Sequence, residues 1–311
     1  MALNEGHISR LPYRSDARSY YAKIRDMPWP VWLDSGFPQS GGGRLDIVAA
    51  DPFAMLTVDG NGCHWWSQQA PPAHDDADPL QSLRAAMGEK SPTVDGLPFS
   101  GGAIGFLGYD LSRQLGELPQ RHGLDDWPSM AVGLYDWCLL IDHAQQRSYF
   151  VAQGRDPRAE ASWPIALRRL RAANDADEPP RSVTGRLIER GMSRAGYAQR
   201  FDRVQRYIRD GDCYQVNLAQ RFCAQSADGA WQIYQRMRLE NPSPYGAFLE
   251  YPFGAILSSS PERFLRLQGS IAESRPIKGT RPRGETAAQD LALRAGLLGS
   301  EQDRAENVMI V

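Results

Sequence analysis

The chain has 311 residues, 42% of them hydrophobic and 23% charged, which is typical of a globular protein with a large core. Its formal net charge of −2 argues against nucleic acid or an anionic membrane as the main partner. No apolar run reaches transmembrane length, and the first ten residues lack the apolar segment of a signal peptide. Four scattered cysteines without a C-x-x-C pair indicate reduced thiols in a cytoplasmic protein.

Residues 1–173 are predicted to form a first, strand-rich domain. Its runs of β-formers between Gly and Pro turns predict strands at Arg44–Ala50, Phe53–Val58, Leu134–Ile141 and Ser148–Ala152. The glycine-dense run Gly101–Gly108 lacks the G-x-G-x-x-G order, so close strand packing is favoured there over a phosphate-binding loop.

The acidic and Pro-Pro residues at 174–185 predict a linker, followed by a second domain over 186–311. Ser193 and Gly211 are suited to begin and end a helix, because serine caps helix N-termini and glycine ends helices. The alternation across Asp212–Phe222 predicts a strand that places Gln215 on its polar face. A polar strand face is usually solvated, so Gln215 would matter only if that face closed a cavity.

Glu262 and Lys278 flank two short strand-like runs, Phe264–Leu267 and Ile271–Ser274, with a turn at Gly269. A hairpin of this length returns the chain, so that a buried acid and an amine would line one pocket. An acid that donates a proton and an amine that attacks carbon could together replace a hydroxyl on a ring. Taken alone, such a pair is more often a surface ion pair than a catalytic one.

The segment after Ser300 predicts a helix start, because Ser300 and Asp303 form the S-x-x-D capping pattern. Asp303 and Glu306 are spaced to share one helix face. Two such carboxylates could ligate Mg²⁺, although the spacing alone favours a solvated acidic face. The strongly apolar run Val308–Val311 is unusual for a surface helix.

Five motifs in this order resemble the chorismate-utilising enzymes. They are Asp212–Leu218, Asn241–Tyr245, Ser260–Arg263, Pro276–Thr280 and Asp303–Asn307. The Pro-Ile-Lys-Gly-Thr form is similar to the branch that makes 4-amino-4-deoxychorismate for para-aminobenzoate and folate synthesis. Anthranilate synthases typically carry alanine where Lys278 stands. The resemblance implies an α/β (α+β) fold of stacked antiparallel sheets flanked by helices.

The resemblance also implies residue roles. Lys278 matches the proposed nucleophile at C2 of chorismate, and Glu262 matches the general acid that protonates the departing C4 hydroxyl. Thr280 matches a substrate-binding residue. Glu306 matches a Mg²⁺ ligand, with Asp303 a candidate for its second shell.

Three further sets of residues follow from the same resemblance. The cations expected near Lys278, to lower its pKa or to bind carboxylates, are Arg275, Arg281 and Arg283. Water-using relatives typically have lysine where Gln215 stands, so Gln215 favours ammonia chemistry. The residues that match a tryptophan-binding site, with a proline-rich turn as the alternative, are Ser35, Pro244 and Tyr245.

Members of the family continue past the position of Val311, so the chain is expected to be an N-terminal portion whose sheet is incomplete. Ammonia is expected from a separate glutamine amidotransferase subunit, because this chain carries no G-x-C-x-G nucleophile motif. The alternatives are anthranilate synthase component I, an isochorismate or salicylate synthase, and a non-catalytic fragment that binds tryptophan or a partner.

Overall fold

The structure is a computed structural model. It describes residues 7–41, 43–67, 73–75, 78–88, 97–116, 127–155, 159–172 and 182–310. The chain forms two compact units. The first combines Met1–Asp177 with Arg238–Val311, and the second is Glu178–Met237.

The strands of the described residues are β1 His7–Leu11, β2 Val31–Asp34, β3 Leu45–Ala49, β4 Ala54–Asp59, β5 Gly62–Ser67, β6 Ala73–Asp75, β7 Gly102–Leu107, β8 Met130–Tyr135, β9 Trp137–Asp142, β10 Arg147–Ala152, β11 Arg186–Arg190, β12 Phe222–Gln225, β13 Tyr245–Tyr251, β14 Gly254–Ser260, β15 Arg263–Gln268 and β16 Ile271–Arg275. The helices are α1 Arg18–Tyr21, α2 Pro79–Met87, α3 Ser112–Leu115, α4 Ala159–Arg171, α5 Arg194–Asp210, α6 Ala230–Glu240, α7 Ala287–Leu298 and α8 Glu301–Ile310, with a 3₁₀ turn at Tyr109–Leu111. No helix among these residues is both long enough and apolar enough to cross a membrane.

The first unit is built on two antiparallel sheets. One has the strand order β1-β10-β9-β3-β2-β13-β14, and the other has the order β6-β5-β4-β8-β7. One buried cluster joins Val31, Ala49 and Leu249 of the first sheet to Ile104 and Ala131 of the second. Burying each large apolar side chain contributes about 1.5–3 kcal/mol, so this layer holds the two sheets face to face. The predicted stacked antiparallel architecture is confirmed.

Several local predictions are confirmed in the strands and helices. β3, β4, β7 and β10 lie where strands were expected. In α5 the Ser193 hydroxyl accepts a hydrogen bond from the Gly196 N–H at 3.1 Å. Gly211 ends this helix in the left-handed conformation, which glycine adopts without a steric cost.

The predicted strand Leu134–Ile141 is divided between the two sheets. β8 ends at Tyr135 in the second sheet, and β9 begins at Trp137 in the first. Asp136 lies between them, and its buried carboxylate accepts the backbone N–H groups of Gly154 and Arg155 at 3.1 and 2.7 Å. A buried carboxylate must be satisfied in this way, and here it marks the point where the chain changes sheets.

The predicted strand at Asp212–Phe222 is wrong. Residues 212–221 form neither helix nor strand, and β12 begins only at Phe222, where it pairs with β11. Tyr214 is 89% exposed, so the apolar face suggested by the alternation is not buried. An alternating pattern gives a strand only where a neighbouring strand supplies the ladder hydrogen bonds.

The boundaries of the compact units differ from those of the predicted domains 1–173 and 186–311. β13 and β14 belong to the second predicted domain by sequence, yet they extend the sheet built by β1, β2 and β3. Most of the predicted linker, up to residue 181, lies outside the described residues.

Candidate active site

The predicted hairpin carries the acid and the amine to one end. β15 pairs with β16 around Gly269, and Arg263 lies opposite Arg275. Glu262 directly precedes β15, and Lys278 follows β16 by three residues. Both residues therefore lie at the open end of the same hairpin, as the sequence predicts.

Glu262 is held through its backbone, while its side chain is exposed. The Ser260 hydroxyl accepts the Glu262 N–H at 3.3 Å and donates to the Glu262 carbonyl at 3.1 Å. The expected burial of this glutamate is wrong, because the adjoining strand is itself exposed. Phe264 is 89% exposed and Leu267 is 72% exposed, so the hairpin alone does not remove water from the carboxyl.

Lys278 is half-buried in the loop that follows β16. Helix α8 lies against this loop, because the Asn307 side-chain amide donates to the Pro276 carbonyl at 2.9 Å. The structure thus brings the predicted nucleophile and the helix that carries Glu306 together. Thr280 lies in the same loop and is exposed.

The three predicted cations are each paired with a carboxylate. Arg275 contacts Glu273 at 2.8 Å, Arg281 contacts Asp303 at 3.0 Å, and Arg283 contacts Asp290 at 2.7 Å. Hydrogen bonds with Ser300 and then with Arg281 hold the pKa of the Asp303 carboxyl below its usual range. The charge of each of these arginines is therefore offset by a neighbouring carboxylate.

Glu306 lies half-buried on α8, and its Oε1 accepts the Gln302 side-chain amide at 3.2 Å. Among the described residues, no three His, Cys, Asp or Glu side chains gather into a metal-binding group. One carboxylate that shares the ion with substrate oxygens is nevertheless an arrangement that Mg²⁺ accepts. The residues present therefore fit a Mg²⁺ ion held jointly with a substrate.

Gln215 lies in the second compact unit, within the irregular residues 212–221, and is exposed. Its expected place on the polar face of a strand is wrong, since that strand is not formed. Its role near the substrate stays a prediction.

The predicted tryptophan-site residues are brought together at the β2–β13 pair. Gly246 lies opposite Asp34, which places Tyr245 and Pro244 alongside the chain that leaves β2 through Ser35. Gly36 has φ +65°, and a Cβ there would lie 2.7 Å from the Ser243 carbonyl oxygen.

Ser35 is 2% exposed, and its buried hydroxyl lacks a hydrogen-bond partner within the described chain. Its backbone N–H, by contrast, donates to Asp46 at 2.7 Å. The loop is therefore fixed while one buried polar group is left for another partner.

Arg238 is a buried residue of this region that the sequence reasoning missed. Its guanidinium donates to the carboxylates of Asp34 at 2.5 Å and Asp16 at 3.3 Å and to the Phe37 carbonyl at 2.9 Å. It also lies over the Trp32 ring, 5.0 Å from the centroid. One side chain thus holds the end of β2 and the loop that carries Ser35.

Helical spacing is the signal that could have identified Arg238, since Trp231, Tyr234 and Arg238 recur at i, i+3 and i+7. A charged residue on the apolar stripe of a helix requires a buried partner. That partner is Asp34, whose carboxyl pKa is raised by burial although the Arg238 charge opposes the increase.

We expect Arg238→Ala to lower the free energy of unfolding by about 3–5 kcal/mol, because it removes the cation that offsets the buried Asp34 charge. Urea titration followed by tryptophan fluorescence would measure the change. Arg236→Ala is the matched control, since Arg236 is exposed on the same helix and its loss should cost less than about 1 kcal/mol. Equal effects of the two substitutions would contradict the role of Arg238.

The chain shares its fold of stacked antiparallel sheets with a solved enzyme structure. Its structure superposes on the crystal structure of anthranilate synthase component I from Streptococcus pneumoniae TIGR4 with a TM-score of 0.67 and 27% sequence identity. The match covers 87% of this chain and 60% of that one.

The model of the chorismate binding enzyme family matches residues 30–311, and the chain belongs to this family. It is 39% identical to aminodeoxychorismate synthase component 1 of Klebsiella aerogenes over 310 residues, which cover 97% of this chain and 66% of the relative. It is 38% identical to the protein of the same name from Escherichia coli K12, over 98% of this chain and 66% of the relative. The chain therefore spans slightly less than two thirds of the length of these relatives.

Proposed function

We propose that this protein replaces the C4 hydroxyl of chorismate with an amino group and so forms 4-amino-4-deoxychorismate, the precursor of para-aminobenzoate. The observation that carries the proposal is Lys278, held in its loop against α8 at the open end of the hairpin that also presents Glu262. The identity to proteins named aminodeoxychorismate synthase component 1 supports the same reaction.

The first half of the reaction uses the amine and the acid. The neutral Lys278 amine attacks C2 of the ring, the double bond shifts, and the C4–O bond breaks. Glu262 gives its proton to the departing hydroxyl, which leaves as water. Lys278 is then covalently attached to the ring at C2.

The second half reverses the electron flow. Ammonia attacks C4, the double bond shifts back, and the C2–N bond to Lys278 breaks. The proton lost by the attacking ammonia restores Glu262, while Lys278 keeps its amine protons during attachment and leaves as the neutral amine. Chorismate and ammonia thus give 4-amino-4-deoxychorismate and water, and both side chains are regenerated.

Product analysis tests the proposal. The protein expressed from its own gene is incubated with chorismate, ammonium and Mg²⁺, and the products are separated and identified by mass spectrometry. We expect 4-amino-4-deoxychorismate as the main product. Anthranilate or isochorismate as the main product would instead favour the corresponding alternative enzyme, and chorismate binding without turnover would favour a non-catalytic binding module.

We propose that Glu306 holds Mg²⁺ for this reaction. When bound, the ion would offset the charge of the ring carboxylate and help to orient the ring. Half-burial of Glu306 on the helix that contacts the Lys278 loop supports this placement.

Glu306→Ala is expected to raise the Mg²⁺ concentration needed for half-maximal activity by tenfold or more, on the order of the loss expected when one ligand is removed. Titrating Mg²⁺ into protein stripped with EDTA would measure it. Glu301→Ala, an exposed glutamate in the first turn of the same helix, is the control. Full wild-type activity in excess EDTA would contradict the metal requirement.

A separate glutamine amidotransferase subunit is proposed as the ammonia source in the cytoplasm. The name component 1, which the relatives carry, supports the existence of a partner component. Glutamine should replace ammonium only when that subunit is added, and glutamine-dependent turnover by this chain alone would contradict the proposal.

We also propose that Ser35, Pro244 and Tyr245 bind tryptophan. The buried hydroxyl of Ser35 supports a polar contact with a ligand. Isothermal titration with tryptophan should show binding that weakens at least tenfold in Ser35→Ala, about the cost of one hydrogen bond to a charged group. Unchanged affinity for tryptophan in Ser35→Ala would instead favour the alternative, in which these residues form only a proline-rich turn.

A further inference from the structure

The loop that carries Lys278 is fixed to α8 on both sides of the lysine. Before it, the Asn307 side-chain amide donates to the Pro276 carbonyl at 2.9 Å. After it, the Arg281 guanidinium donates to Asp303 at 3.0 Å. Lys278 therefore lies between two attachments to one helix.

Gly279 brings the backbone of the loop very close to the same helix. It has φ +66°, and a Cβ there would lie 2.5 Å from the Asp303 carboxyl carbon. Any side chain at this position would have to displace the Asp303 carboxylate, so the loop backbone at Gly279 packs directly against the Asp303 side chain of α8.

The attachments and the proposed metal ligand share one face of α8. Asp303, Glu306 and Asn307 are spaced i, i+3 and i+4, which places them on the same side of a helix. Arg304, by comparison, is exposed. Helix α8 thus presents Glu306 and the support of the Lys278 loop together.

We propose that Asn307 and Asp303 are positioning residues for Lys278, which keep its loop and Glu306 at a fixed separation. This inference rests on the proposed function of Lys278 as the nucleophile. Proximity effects make such positioning important, because a displacement of about 1 Å can cost on the order of a hundredfold in rate. The Asp303–Glu306–Asn307 segment therefore has two tasks, to support the nucleophile and to hold the metal.

Asn307→Asp is the sharpest test, because it keeps the shape of the side chain while removing the donor to the Pro276 carbonyl. Arg304→Ala is the matched control on the exposed face of α8. Hydrogen exchange followed by mass spectrometry measures local opening of the loop. Steady-state kinetics measures the effect of that opening on the reaction. We expect faster exchange in peptides covering 276–281 and a kcat lower by roughly tenfold to a hundredfold, with KM for chorismate within about threefold.

A second variant separates the two attachments. Asp303→Asn keeps the size of the side chain and removes the negative charge that pairs with Arg281, so exchange should increase after Lys278 more than before it. Asn307→Gln keeps a side-chain amide donor, so its kcat should lie between that of Asn307→Asp and that of wild type.

Unchanged exchange in both Asn307→Asp and Asp303→Asn would overturn the proposal, whatever the activity. Faster exchange with kcat equal to that of wild type would overturn the positioning role as well. A wild-type protein without aminating activity would instead overturn the proposed function, and the exchange data would still decide whether α8 holds the loop.

Discussion

Replacing Lys278 by alanine is expected to reduce formation of 4-amino-4-deoxychorismate by on the order of a thousandfold or more, since it removes the covalent catalyst. Residual product should shift towards anthranilate, because alanine is typical of anthranilate synthases at this position. Lys278 is only half-buried, so the thermal stability of the variant should stay close to that of wild type. The loss of activity would then come from the missing amine and not from unfolding of the protein.

Product identification beside initial rates would measure this effect. Lys278→Arg is an informative companion, because it retains a positive charge but supplies no neutral amine near neutral pH. We expect it to be as impaired as the alanine variant. A Lys278→Ala protein with the rate and product of wild type would show that Lys278 is not the nucleophile.

The second large effect is expected for Glu262→Gln. Glutamine keeps the shape of the side chain and its hydrogen bonding, but it cannot deliver a proton to the departing hydroxyl. The rate should fall by about 10²–10⁴-fold, the usual contribution of general acid catalysis, while chorismate affinity is retained. Calorimetric titration with chorismate and rate measurements on the same sample would separate binding from turnover.

The control for this substitution is Glu285→Gln, another exposed glutamate of the same unit. It should leave both binding and turnover unchanged. Turnover of Glu262→Gln within about tenfold of wild type would make Glu262 a structural residue. The substitution leaves the backbone in place, because the Ser260 hydroxyl bonds the main chain of Glu262.

Local signals predicted the parts of the fold that depend on neighbouring residues. The hairpin follows from two strand-forming runs and Gly269, and α5 follows from its cap at Ser193 and its end at Gly211. These features are decided within a few residues of each other. The candidate pair of Glu262 and Lys278 could be placed at one hairpin end for the same reason.

Features that depend on distant partners could not be predicted. The alternation at 212–222 requires a neighbouring strand that the described chain does not supply, and the insertion of β13 beside β2 joins segments far apart in sequence. The exposure of Glu262 and the burial of Arg238 are likewise set by what packs against them. Composition and periodicity carry no information on such long-range neighbours.

The covalent step at Lys278 is tested most directly by trapping the attached ring. Wild-type protein, Lys278→Ala and Glu262→Gln are each incubated with chorismate and Mg²⁺ without ammonia, quenched, digested and mapped by mass spectrometry. We expect the wild-type peptide containing Lys278 to gain the mass of chorismate less one water, and neither variant to show this adduct. Wild-type protein that makes 4-amino-4-deoxychorismate when ammonium is supplied, yet never carries the adduct on Lys278, would contradict the covalent role of this lysine.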